Sequence, residues 1–282
     1  MSLRARLAIL AALAAAAFGQ AAAPRFEVAS VKANAQGGAD VQGLGTVRFL
    51  NGGRLNAEKA QLRYIILNAY GVKSFQLLGG PGWIESAHYD IDAKASDQAA
   101  PGDLRRMLLT LLEERFQLQA HRETRQLPVY ELSAAKSGLK LPPPKQANCA
   151  GAGGDGPPMP GEAPCGRIVM TFSAGGARML GAQVPMAELL RVLSNVLART
   201  VVDRTGFTGL FDVRLEFSPD SSLGGLPTPA GADDPRVPTI PADPNHPGIF
   251  AALQQQLGIR VEAAKGPVEV VVIDRVERPS EN

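Results

Sequence analysis

The stretch "VPMAELLRVLSNVLARTVVDRTGFTGLFDVRLEF", Val184–Phe217, decides how the chain is read. Met186, Leu189, Leu190, Leu193 and Leu197 recur at three- and four-residue steps, which is one face of an amphipathic helix. The glycines of "RTGFTG" then supply a turn. After it, Phe211, Val213, Leu215 and Phe217 alternate with polar residues at the period of a half-buried strand.

An earlier stretch repeats this plan. In "QLRYIILNAY", Leu62, Ile65, Ile66, Ala69 and Tyr70 share a helical face, and the turn "GGPGW" (79–83) leads into the strand "HYDIDAKA" (88–95). Each half then carries a second helix. The first, "DLRRMLLTLLEERF", has an apolar stripe of Leu104, Met107, Leu108, Leu111 and Leu112, with Asp103 as its expected cap. The other, "IFAALQQQLG", has Phe250, Leu253 and Leu257, with Gly258 as the stop. Behind them, "FQLQAHRE" and "PVYELSAA" read as one hairpin, "IRVEAA" and "PVEVVVIDRVE" as another. Tyr89 is matched with Phe211, Phe116 with Ile259, Leu118 with Val261 and Pro128 with Pro267. "GGRL" and "GGARML" precede the leading helices, and "FEVASVK" (26–32) is an opening strand. The expected fold is α+β: two duplicated lobes, each with two helices packed on a small, mainly antiparallel sheet, joined by Pro/Gly-rich loops.

The chain begins with Arg4 and Arg6, an apolar run at 7–18 and small residues at 17–23, the layout of a secretory signal. That run is shorter than the roughly 20 residues of a spanning helix; a retained anchor is the alternative reading. The expected divisions are a signal peptide at 1–23, a first lobe at 24–141, a Pro/Gly-rich linker at 142–168, and a second lobe at 169–282 with a proline-rich insertion at 218–248. Without Arg4 and Arg6, the 29 Lys and Arg fall to 27, equal to the 27 Asp and Glu. A balanced chain offers no concentrated positive face for nucleic acid. Cys149 and Cys165 are the only cysteines. In an oxidising compartment an even pair within one loop reads as a disulfide, contributing about 3 kcal/mol by loop closure. Free thiols are the alternative, and two thiols with no nearby His make a thin metal set.

Few motifs carry chemistry. The glycines beside Trp83 read as a turn, because no helix is expected straight after them to cradle a phosphate. "SAAK" (133–136) places its serine at a strand end, where a serine-x-x-lysine site needs a helix start. "DRTG" at Asp203 interrupts the tight turn of an aspartic protease with Arg204, so Asp203 is a turn residue. His88, His121 and His246 are scattered, although His88 and His121 share a lobe. Trp83, Tyr89 and Phe207 are the candidates for a recognition surface.

Taken together, "FEVASVK", "GGPGWI" with "YDI", "LLEERFQLQAHRETRQLPVYEL", "VVDRTGFTGLFDVRLEFSPD" and "GPVEVVVIDRVERPSEN" resemble an exported family abundant in acidobacteria and other soil bacteria, known as a domain of unknown function. The resemblance covers essentially the whole mature chain and implies no catalytic residues. Related domains occur attached to membrane-embedded metallopeptidases similar to antibiotic-sensing receptors; no peptidase motif occurs here, so no zinc chemistry carries over. Each lobe is also similar to the short amino-terminal domains of secretins and TonB-dependent receptors, which dock partners by their surfaces.

The expected function is a non-enzymatic binding or sensory module of the cell envelope, periplasmic or extracellular. It uses no cofactor or metal, keeps no stable transmembrane span after signal cleavage, and takes an envelope protein or peptide at a sheet edge or in the groove between lobes. The alternatives are a hydrolase of envelope or extracellular polymer acting through Glu85, Asp90 and Asp92, and a structural envelope component.

Overall fold

Asn51, Gly52 and Gly53 turn the chain back on itself, and the first half is built outward from that hairpin. Both glycines take left-handed φ values, 70° and 69°, which a side chain resists. The computed structural model describes residues 23–36, 43–96, 99–144, 163–173, 176–218, 223 and 246–279. The first half runs β1 (Val28–Asn34), β2 (Thr46–Leu50), β3 (Arg54–Gln61), α1 (Leu62–Tyr70), β4 (Leu77–Gly79), β5 (His88–Lys94), α2 (Pro101–Phe116) and β6 (Gln119–Ala134). The second runs β7 (Val169–Ser173), β8 (Gly176–Pro185), α3 (Met186–Val196), β9 (Val201–Asp203), β10 (Leu210–Phe217), α4 (Ile249–Leu257) and β11 (Ile259–Arg275). The chain is α+β. Among the described residues three sheets form, in the orders β1-β5-β3-β2, β10-β8-β7 and β4-β11-β6-β9, antiparallel except where β4 joins β11 and β9 joins β6.

The largest departure from the expected layout is in the long strands. Neither half folds "FQLQAHRE–PVYELSAA" or "IRVEAA–PVEVVVIDRVE" into a hairpin. Each is one continuous strand, and β6 pairs with β11 across the halves from Gln119↔Arg275 to Ala134↔Ile259. Pro128 and Pro267, the first residues of the expected second arms, sit inside the ladder opposite Lys265 and Gln126. There, among the described residues, each long strand has only the other as a neighbour, because β9 reaches β6 at Tyr130–Leu132 and β4 reaches β11 at Val271–Ile273. A proline is tolerated on such a locally unpaired edge. The halves therefore share one central sheet.

Element order recurs between the halves from β2 to β6 and from β7 to β11, and so do registers. β3 meets β5 with a bulge between Ala57↔Ile91 and Ala60↔Tyr89; β8 meets β10 with one between Gly181↔Val213 and Val184↔Phe211. In each bulge a residue of left-handed φ, Lys59 (46°) or Gln183 (52°), donates its N–H to an aspartate of the facing strand. Lys59 reaches Asp90 Oδ1 at 2.7 Å and Gln183 reaches Asp212 Oδ1 at 3.0 Å. Leu77 of β4 pairs with Val271, and Val201 of β9 pairs with Tyr130. The helix ends Gln117 and Gly258 both turn left-handed, which aligns Leu118 with Ile259 rather than with Val261.

Helix faces follow the sequence periods. Leu62, Ile65, Ile66 and Ala69 of α1, and Met186, Leu189 and Leu193 of α3, are buried. Asp103 lies inside α2 rather than capping it; its carboxylate accepts the Ala100 N–H at 3.3 Å, one half of a capping box. Each core contains side chains from the other half. Val271 and Ile273 of β11 pack with α1, β5 and α2, while Leu132 of β6 packs with α3, β10 and α4. Residues 1–22 of the expected leader, Cys149, and most of the linker and the insertion lie outside the described residues. No helix among the described residues is long and apolar enough to cross a membrane.

Because Val271 is fully buried in the first core, Val271→Ala is expected to destabilise that half from a strand of the other. The cost is about 1–3 kcal/mol for a lost methyl pair and residual cavity. Denaturant unfolding followed by Trp83 fluorescence measures it, and a Trp83 transition unmoved by the substitution contradicts the shared core.

Candidate functional site

The residue pattern of α1 ends in Gly71, which closes the helix in the left-handed conformation, and Ala198 does the same just beyond α3. These two C-terminal ends face a common cleft of about 660 Å³. α1 supplies Tyr64, Leu67 and Asn68 to it, and α3 supplies Arg191 and Asn195. Arg105 of α2 and the connector Val72–Phe75 complete the wall. The volume falls in the range of small-molecule sites, about 300–1,000 Å³.

Lys73 crosses the cleft. Its Nζ donates to the Arg191 carbonyl at 2.8 Å and to Asn195 Oδ1 at 2.6 Å, tying the first half to α3 of the second. Cations suit the negative end of a helix dipole. Burial lowers the Lys73 ammonium to about 8, with the neighbouring Arg191 charge adding to the effect and Glu188 opposing it. Arg191 is held by Glu188, Nε and Nη2 each donating at 2.6 Å. That pairing keeps the Glu188 carboxyl below its ordinary range, helped by the Ile168 N–H against the effect of burial. Arg105 lies over the Phe49 ring, 5.5 Å from its centroid.

The aromatic candidates lie outside this cleft, Trp83 and Tyr89 on the first core and Phe207 on the second. Tyr89 is 3% exposed and packs edge-on against Phe116 at 4.9 Å in the first core, while also lining a small cleft with Asn34, His88 and Arg278. Trp83 is half-buried against that core, with the Arg278 guanidinium 4.9 Å from its ring centroid. Phe207 is half-buried against the second core, edge-on to Phe211 at 5.7 Å.

The glycines beside Trp83 make a close strand crossing. Gly79 and Gly80 take φ of 73° and 82°. A Cβ on Gly79 would stand 2.9 Å from the Ile273 carbonyl oxygen, and one on Gly80 would stand 2.8 Å from the end of Ile84. One expectation changes: a short 3-10 turn, Gly82–Glu85, does start after the glycines. It is a single turn, and it seats Trp83 and Ile84 against the core.

The carboxylates named for hydrolysis have structural partners. Asp90 accepts from the Lys59 N–H and from Asn34 Nδ2, the latter at 2.7 Å. Asp92 accepts from Asn56 Nδ2 at 2.9 Å, and Glu85 stands 3.8 Å from Arg63. Asp203 closes a turn, accepting from the Thr205 N–H and hydroxyl at 2.7 and 2.6 Å. His121 bonds Asp274 at 2.9 Å on the central sheet, whereas His88 faces the Ser86 and Gly43 carbonyls in the first-half sheet; they share no partner. Cys165 makes an isolated bridge to Ala182, and Cys149 lies outside the described residues, so their pairing stays an expectation.

The outer edge of β10 is already occupied. The outer side of β10 is met by the Pro142 carbonyl at the Asp212 N–H (3.0 Å), and the Gln256 amide bonds both backbone groups of Glu216. Such caps keep an edge from recruiting another strand. Sequence reasoning missed Lys73, Arg105, Arg191 and Asn195. Lys73 and Asn195 are 122 positions apart, and only the fold joins them.

The fold is that of an α+β chain whose halves share one sheet and border a common open cleft of mixed apolar and cationic lining. The chain belongs to the family described as a protein of unknown function (DUF3738), whose model matches residues 63–276. No curated protein and no solved structure matches it.

Two outcomes are expected. Gly79→Ala and Gly80→Ala each lower stability by about 1–3 kcal/mol, whereas Gly82→Ala, whose Cβ would meet nothing within 4 Å, stays within about 0.5 kcal/mol; chemical denaturation ranks the three. For Lys73 the folded value near 8 lies below the ordinary 10.5, so the unfolded chain binds more protons between them and stability rises with pH across that window. Stability curves for the native chain and Lys73→Met should converge from pH 8 to 10.5, and parallel curves contradict the assignment.

Proposed function

We propose that this chain is an exported, non-catalytic binding or sensory module of the cell envelope, and that its ligand site is the cleft between the halves. The carrying observation is the wall built from both halves and crossed by Lys73. A ligand held there contacts α1, α2 and α3 at once, so occupancy is coupled to the arrangement of the halves. The leader pattern at 1–23 supports export to the periplasm or beyond, and the Cys149–Cys165 pair suits an oxidising compartment. The recurring order and registers support an origin by duplication. The likeness of each lobe to the amino-terminal domains of secretins and TonB-dependent receptors is an analogy pointing the same way.

The test is a thermal-shift screen of the mature chain against envelope-derived peptides and small molecules. Ligands of the cleft should raise the midpoint of the native chain and leave that of Asn195→Trp, which fills the cleft, unchanged. A screen in which every stabilising compound acts equally on both proteins removes the cleft as the site.

A further inference from the structure

We propose that the cleft takes a small organic anion with an apolar body, its charged end at Lys73 and Arg105 and its body along Leu67, Val72 and Phe75. The proposal rests on the reading of the cleft as a binding site and adds the chemistry of the ligand.

Charge carries the argument. Among the described residues the lining contributes three cations, Lys73, Arg105 and Arg191, and no aspartate or glutamate. Among the described residues only Arg191 is neutralised, by the two-pronged contact with Glu188. Among the described residues Lys73 bonds two neutral oxygens and no carboxylate. Arg105 has no carboxylate partner there either; its guanidinium packs on Phe49, and a Cβ at Gly71 would stand 3.8 Å from its Nη1. The carbonyl end of α3 accounts for one cation, Lys73, by direct bonds. The second, at the same mouth, exceeds what the helix ends require. An arginine fork and a half-buried ammonium that line one space form a receptor for a carboxylate or similar anion. Leu67, Val72 and Phe75 line the same space, where they give an attached apolar body contact area.

The experiment uses the mature chain with four probes: octanoate, octanol, octylammonium and acetate. Binding is read by NMR at the Lys73 side chain and the Asn195 amide. Octanoate is expected to give saturable shifts at both groups, with octylammonium and acetate at least tenfold weaker. Arg105→Gln, an exposed helix position, and Lys73→Gln should each weaken octanoate several-fold and leave octanol unchanged, with unaltered circular dichroism confirming the fold. A further arm compares an N-acetylated dipeptide with its amide; preference for the free carboxylate supports the proposal and identifies a peptide end rather than an acyl chain as its source. Octanol or octylammonium binding as tightly as octanoate overturns the anion assignment while leaving the cleft a binding site. No shift at Lys73 or Asn195 with any probe overturns this proposal as well, and the thermal-shift screen then decides separately whether the cleft binds anything.

Discussion

The antiparallel pairing of β6 with β11 is the constraint on which the rest of the molecule depends. It runs the full length of both strands and joins segments that enter from different halves. Its ends act as walls for opposite cores: Leu132 completes one, Val271 and Ile273 the other. Between those ends, Val129, Val268 and Val270 form a third small cluster with Leu78 and Val202 from the flanking strands. A core completed by the other half's strand cannot retain its packing density without that strand, so the folding of the two halves is coupled.

That coupling also makes the cleft. Each half lays its leading helix beside the shared sheet, and the short strand after that helix joins the long strand of the other half: β4 on β11, β9 on β6. The helix ends are thereby brought to one place, and the connector carrying Lys73 reaches α3. Two helix C-termini present partial negative charge, which explains an ammonium at the junction. It does not explain the second cation, Arg105, which has no carboxylate partner among the described residues.

The two bulges show how backbone strain is managed in the same frame. Lys59 and Gln183 sit in left-handed conformations that cost a side chain about 1 kcal/mol or more. In both, an aspartate on the facing strand takes the exposed N–H. Asp90 was readable from sequence as a possible acid, because alternating acids on a strand are a pattern. Its work at the bulge was not readable, because a bulge is a matter of register between strands roughly thirty residues apart.

Local interactions were legible in the amino-acid order: the periods of the four helices, the strands β5 and β10, the stop at Gly258, the turn at Asp203 and the bend at the glycines next to Trp83. These depend on a side chain and its near neighbours in the chain. The small strands β4 and β9 and the hairpins β2–β3 and β7–β8 were not read from the sequence; three-residue strands have no period to read, and the glycines of "NGGR" do not name the arms they join. Tertiary structure alone decided that β6 and β11 stay continuous through Pro128 and Pro267, that Tyr89 is buried, and that Lys73 meets Asn195. The physical reason is that pairing across halves and convergence at a cleft are set by packing between distant segments, for which a single chain of residue types carries no local signal.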